Sequence, residues 1–265
     1  MRLAEWIELG RMDEMGRMDT PVHRIDARVK SVTTIIFIII VMSFPRYEVS
    51  ALAPFLFYPL VLISLGRIPL GLIFRKILIA APFAVVIGIF NPFFDRQAAV
   101  VIGPLVISGG WLSFTSIMLR FVLTVGAALM LVACTGMYRL CASLERIGLP
   151  RVFVVQLLLL YRYLFVVTDE GSRMMRSLEL RSTGLYSLPL RVYGSLIGHL
   201  LLRSLARSER IYQAMVSRGF CGELKIMRQT TSLQRTDWAF LIGWTAFFVA
   251  ARIWNLAGWV GGLLI

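Results

Sequence analysis

The 265-residue chain is 58% hydrophobic and only 16% charged, against roughly 45–50% and about 25% in soluble domains, which excludes an ordinary water-soluble globule. Its mean hydropathy of +0.76 is spread over several apolar blocks, the pattern of a polytopic membrane protein. The 28 Lys and Arg against 15 Asp and Glu give a net charge of +13, which in such a protein marks the cytoplasmic side rather than a nucleic-acid footprint.

The first 28 residues are polar and lack an apolar signal-peptide core; they read as a cytoplasmic N-terminal segment. Apolar runs able to approach the roughly 30 Å of hydrocarbon at about 1.5 Å per residue follow at 29–44, 51–66, 73–90, 112–136, 152–168 and 238–256. The first ends at Pro45, and the short turn before 51 makes the first two a helical hairpin. Between the third and fourth, the valine- and isoleucine-rich block 97–110 is broken by Gly103, Pro104, Gly109 and Gly110, the signature of an extracytoplasmic hairpin or re-entrant stretch.

Loop charges orient the spans. The turns at 45–50 and 91–111 each hold one cation, Arg46 and Arg96, whereas 67–76 holds Arg67, Arg75 and Lys76, and 137–151 holds Arg139, Arg146 and Arg151. Eleven cations lie between 169 and 237. Positive-inside counting therefore places the N-terminus, 67–76 and 137–237 in the cytoplasm. A crossing by 152–168 would put one Arg-rich stretch outside, so this segment is expected to dip into or lie along the inner face. The expected fold is all-α: a polytopic membrane protein of about five transmembrane helices plus a cytoplasmic helical coupling region. Its parts are 1–28, transmembrane helices 1–4 in 29–136, the coupling region with two long helices in 137–237, and the last span with the C-terminus in 238–265.

The five crossing segments contain no Asp, Glu or His, which disfavours a proton or cation relay within this chain. Their cations, Lys30, Arg75, Lys76, Arg120 and Arg252, are expected to snorkel. His23 and His199 stand alone, Cys134, Cys141 and Cys221 show no paired spacing, and there is no GxxxxGK[ST] loop, so neither a metal site nor a P-loop nucleotide site is expected. The twelve methionines are scattered and read as core filling. A membrane enzyme acting on lipids or prenyl groups would need an Asp-rich or His-containing motif at a membrane edge; Asp95 and Asp237 stand isolated and Asp26 sits in the stretch IDARVK.

The basic region carries the remaining information. Residues 169–182 open with Asp169 and Glu170, suited to a helix start, and Thr183 and Gly184 offer a stop. A second helix is expected from Pro189 to Gly219, with Arg203, Arg207 and Arg210 at i, i+4 and i+7 on one face. The two helices end alike, in Arg181-Ser182 and Arg218-Gly219. An arginine beside a small residue lets a planar five-donor fork reach into a partner's groove.

The stretch LLRSLARSERIYQAMVSRGF at 201–220, with VHRIDARVKSVTTIIF at 22–37 and LLLLYRYLFVVTDEGSRMMRSLELRSTG at 157–184, resembles the transmembrane T component of energy-coupling factor transporters of the CbiQ type, associated with cobalt uptake. The resemblance spans almost the whole chain. It implies a non-catalytic, multi-pass scaffold in a bacterial or archaeal inner membrane, joining two ABC-type ATPase subunits to a separate CbiM-like substrate-capture membrane subunit and a small accessory membrane subunit. ATP is then bound by the ATPases, no cofactor or metal by this chain, and no nucleic acid is involved. The family's Ala-Arg-Ser and Ala-Arg-Gly motifs map to Leu180, Arg181 and Ser182, and to Ser217, Arg218 and Gly219, with Leu180 and Ser217 departing from alanine. Arg203, Arg207 and Arg210 are expected to support the coupling face. Nickel, or more distantly another substrate of this transporter class such as a vitamin, is the alternative cargo.

Overall fold

Each apolar run becomes helical, and all but 152–168 do so close to the expected limits. The computed structural model describes residues 16, 20–45, 49–91, 98–102, 105–181, 190–221 and 233–253. A short α1 (Pro21–Arg24) leads into α2 (Ala27–Met42). A 3-10 segment, Ser50–Leu56, continues into α3 (Phe57–Gly66), and α4 (Leu70–Gly88) follows. The Gly/Pro-broken block forms an antiparallel hairpin, β1 (Ala98–Ile102) with β2 (Leu105–Ser108), pairing Ile102 with Leu105 and Val101 with Val106. Then come α5 (Gly109–Thr135), α6 (Met137–Ile147), α7 (Arg151–Arg181), α8 (Leu190–Ser217) and α9 (Arg235–Ile253). By length and composition α4, α5 and α7 can each cross a membrane, and Ser50–Gly66 is a shorter apolar stretch.

The chain divides into two compact units, one of Met12–Gly136 with Thr230–Ile265 and one containing Met137–Gln229. In the first, α2 is central. Phe37 lies 4.8 Å from Tyr58 and 5.3 Å from Phe248, centroid to centroid, and Trp244 stands edge-on to Tyr58 at 4.9 Å. Phe37, Phe55, Tyr58 and Phe248 are essentially fully buried. The phenol of Tyr58 shares a 3.0 Å hydrogen bond with the hydroxyl of Thr34, so this polar tip is satisfied within the packed helices.

Helix directions follow from polar contacts at the helix ends. The Asp26 N–H donates to Asp237 Oδ1 at 2.9 Å where α2 and α9 begin. Where they finish, Arg252 donates to the Ser43 carbonyl at 3.3 Å and its guanidinium lies 4.3 Å from the Phe44 ring centre; the two helices run parallel. Helix α5 runs antiparallel to α2, since Arg120 donates to the Pro45 carbonyl at 2.5 Å and Lys30 to the Cys134 carbonyl at 3.0 Å. These contacts correct the snorkelling expectation for Lys30, Arg120 and Arg252. Each cation serves carbonyls at or just beyond a neighbouring helix's C-terminus, where acceptors lack intrahelical donors and the dipole favours positive charge.

The carboxylates expected to stand apart are likewise joined. Asp237, only 3% exposed, sits in the first turn of α9. It accepts from the Gln234 N–H at 2.8 Å with Oδ2, as in a capping box, while Oδ1 holds Asp26. Asp26 in turn caps α2, accepting from the Arg28 N–H at 2.8 Å. Asp95 lies outside the described residues.

The second unit corrects a boundary. Residues 152–168 are not a separate element: α7 is one helix of 31 residues, about 46 Å long. Asp169 and Glu170 therefore lie in its interior and open no helix. Acidic residues favour a helix start through the dipole, but a carboxylate also fits mid-helix where a neighbouring helix supplies cations.

Candidate coupling surface

The second unit is built around two long helices and the turn that launches them. At the end of α6 the Leu149 N–H donates to Leu144 and the Gly148 N–H to Glu145, with Gly148 at φ 123; this is a Schellman stop. Pro150 then precedes α7, its carbonyl accepting from Phe153 at 3.0 Å. Arg151 reaches back to Glu145 at 3.1 Å, fixing the corner between α6 and α7.

Helices α7 and α8 meet at Glu170. Its Oε1 accepts from Arg203 at 2.7 Å and its Oε2 from Arg207 at 3.2 Å, while Arg173 of the same helix approaches Oε2 at 3.4 Å. Its carboxyl is held below the ordinary range, first by the Arg203 hydrogen bond and further by the charges of Arg173, Arg203 and Arg207, with desolvation opposing. Gly171 lies at the same level, where an added Cβ would stand 3.5 Å from the Leu200 side chain. Of the three arginines expected on one face of α8, Arg203 and Arg207 are thus committed within the chain. Arg210 is exposed and makes no ion pair among the described residues.

Beyond the crossing the helices end in exposed cations. Arg181 is the last residue of α7 and is exposed, beside Leu180 at 76% exposure. Ser182 lies outside the described residues. Helix α8 ends in a second Schellman motif: the Phe220 N–H donates to Met215 at 3.0 Å and the Gly219 N–H to Val216 at 2.9 Å. The motif requires a left-handed residue, and Gly219 supplies it at φ 83. Arg218 is left at the cap position with Ser217 before it, both exposed. Neither Arg181 nor Arg218 forms an ion pair among the described residues, so two five-donor forks stand free for carboxylates or carbonyls of another molecule.

The flanks of α8 are equally unfilled. None of its 28 residues is buried, and Ile197, Leu201, Leu205, Tyr212 and Val216 are all largely exposed. At this spacing they form a stripe along a face distinct from that of Arg203 and Arg207. Glu170, expected at a helix start, lies inside α7. Its spacing from Arg203 and Arg207, 33 and 37 residues on, becomes readable only once α7 and α8 fold back on each other. Among the described residues no group of three or more His, Cys, Asp or Glu is placed to hold a metal ion.

Comparison with known proteins supplies the wider setting. The family model described as cobalt transport protein, CbiQ, matches residues 18–231. The chain is 25% identical over 258 residues to the energy-coupling factor transporter transmembrane protein EcfT of Heliobacterium modesticaldum, covering 91% of this chain and 95% of that one. It is 27% identical over 245 residues to an uncharacterized protein of Methanocaldococcus jannaschii, covering 87% and 81%. Over 99 residues it is 32% identical to the nickel permease LarQ of Lactiplantibacillus plantarum, covering 37% and 35%.

Proposed function

This chain belongs to the CbiQ family of cobalt transport proteins, and we propose that it is the coupling subunit of an ATP-driven energy-coupling factor importer, passing motion from two ABC-type ATPases to a separate capture subunit that holds the metal. The observation that carries this reading is the pair of long helices α7 and α8, joined at Glu170 and tipped by the exposed Arg181 and Arg218, neither of which forms an ion pair among the described residues. Each guanidinium would enter a groove of one ATPase and bind acidic or carbonyl oxygens there. Ser182 and Gly219 keep the approach to each arginine narrow. Leu180 and Ser217 flank the contact, and Arg210 adds positive charge beside it.

The orientation that fits has the N-terminus and the α7–α8 unit on the cytoplasmic side, where ATP is available. Cobalt is the cargo by family; the similarity to a nickel permease keeps nickel(II) as the second reading. The exposed stripe of α8, from Ile197 to Val216, offers a partner or the bilayer an apolar face.

The test is co-purification. The tagged chain, expressed from its native locus and solubilised gently, should bring down ATPase subunits and one or more membrane subunits. The Arg181→Glu/Arg218→Glu variant should insert normally, lose the ATPases and take up no cobalt(II) or nickel(II). ATPases retained with full uptake in that variant would reject the reading.

A further inference from the structure

Glu170, on α7, is held by two arginines of α8, and its geometry is more specific than charge neutralisation needs. Each carboxylate oxygen is taken by a different arginine of α8, Oε1 by Arg203 and Oε2 by Arg207. Those arginines are one turn apart on one face. Sliding α7 along α8 by a turn would break at least one of the two bonds, and rotating α8 about its own axis would carry both arginines away together. Arg173 supports the carboxylate from behind, and Leu200, one turn before Arg203, faces Gly171. These contacts lie at residues 170 and 171 of α7 and 200–207 of α8.

Both arginines lie well beyond the crossing. Arg181 is eleven residues past Glu170, and Arg218 is fifteen past Arg203 and eleven past Arg207, so the tips stand about 16–22 Å along their helices from the crossing. Ion pairs this exposed contribute little to stability: the Arg203 side chain is 62% exposed and that of Arg207 36%. What a carboxylate with both oxygens occupied adds is a fixed register.

We propose that Glu170 is the pivot of the two coupling helices, a positioning residue that holds α7 and α8 in one crossing register so that force applied at Arg181 and Arg218 turns the pair about this point instead of sliding one helix along the other. This rests on the coupling reading above. It adds where in the chain the motion is converted and which residue converts it.

Two measurements on the whole purified complex test the pivot. In proteoliposomes, uptake of radiolabelled cobalt(II), with nickel(II) in parallel, is compared with ATP hydrolysed. Glu170→Gln is expected to keep its ATPases and hydrolyse ATP within about twofold of wild type, while uptake per ATP falls about tenfold, within the usual range of coupling energies. Independently of cargo, spin labels at Leu180→Cys and Val216→Cys, in a background lacking Cys134, Cys141 and Cys221, report the tip-to-tip distance. Its distribution should be narrow in wild type and broad in Glu170→Gln. The charge-swapped variant Glu170→Arg/Arg203→Glu/Arg207→Glu should narrow it again and restore uptake per ATP.

A wild-type distance distribution and coupling ratio in Glu170→Gln would overturn the pivot. Should Glu170→Gln fail to accumulate, the charge-swapped variant decides: restored accumulation and coupling support the pivot, and failure to restore either overturns it. If Arg181→Glu/Arg218→Glu keeps full uptake while Glu170→Gln still broadens the distance, the pivot stands as a structural feature and the coupling reading is what fails.

Discussion

The two units of this chain are held together by different forces. In the unit of α2, α5 and α9, aromatic rings from three elements close around Phe37, and charged groups are spent on capping helix ends. In the unit of α6–α8, α8 buries nothing, α7 buries only Val154 and Val155, and the contact between the long helices carries one carboxylate among three arginines. The first is closely packed; the second leaves apolar and cationic side chains of α8 exposed. On the coupling role proposed above, the first unit serves as the frame and the second as the part that its partners complete.

The largest break in that comparison is the double reversal Arg181→Glu/Arg218→Glu. It should abolish uptake while leaving the thermal unfolding of the first unit unchanged, because neither residue belongs to it. A lowered Tm would show that the units do not divide the labour this way.

Next in size is the aromatic core. Phe248→Ala removes a fully buried ring packed on Phe37, Phe55, Tyr58 and Trp244. Lipid is as apolar as the core, so the transfer contribution largely falls away and the cavity contribution remains, about 2–3 kcal/mol. Asp237→Ala leaves the Asp26 and Gln234 N–H groups without their carboxylate acceptor and should cost about 2 kcal/mol. Both would appear as a lowered Tm in detergent. Equal stability of Asp237→Ala and wild type would mean that another group takes over these donors.

How much of this was legible in the sequence divides along the same line. Apolar runs gave every long helix of the first unit, and the Gly/Pro-broken block gave the hairpin, because both signals lie along the chain. The roles of the charges did not. Arg120 and Arg252 sit in apolar spans as snorkelling residues would, and only the fold shows the carbonyls of Pro45 and Ser43 within their reach. Asp26 and Asp237 are 211 residues apart in sequence. Asp169 and Glu170 carry a true local preference for helix starts, but both lie inside α7, where Glu170 meets the arginines of α8. Arg181 and Arg218 could be singled out because helix ends leave local marks in the sequence, although Ser182 lies outside the described residues.

The Glu170 crossing makes a finer distinction through pH. A carboxyl whose folded pKa is depressed contributes fully above its unfolded value, and the contribution is lost as pH falls through the folded value. With Arg203 first among the causes of the depression and Arg173 and Arg207 adding to it, the spin-label distance between the tips should stay narrow from neutrality down to about pH 5, since an unperturbed Glu titrates near 4.3. It should broaden only in stronger acid. Broadening that begins near pH 7 would assign the crossing to another group.

The smallest effect concerns how helices stop. Both described stops in the second unit, Gly148 and Gly219, place glycine at the left-handed position, whereas α3 places Arg67 there, at φ 50 and ψ 38. The glycine of that turn stands one residue earlier: a Cβ on Gly66 would meet the Ile68 side chain at 3.2 Å and Cys134 Sγ at 3.5 Å. Gly66 is used for close packing against α5, and the turn's strain falls on an exposed arginine. Arg67→Gly should therefore stabilise the first unit by about 1 kcal/mol, less a few tenths for the freer unfolded chain, and Arg67→Asn by less. Arg67→Val should destabilise it, since a β-branched side chain tolerates this conformation worst. Arg67 is also one of the cations, with Arg75 and Lys76 in the first turns of α4, that the proposed orientation places on the cytoplasmic side, so the glycine variant gains stability while removing one of those charges. A Tm that rises in Arg67→Gly and falls in Arg67→Val would locate the strain in the backbone. Equal shifts in both would locate it in the lost charge.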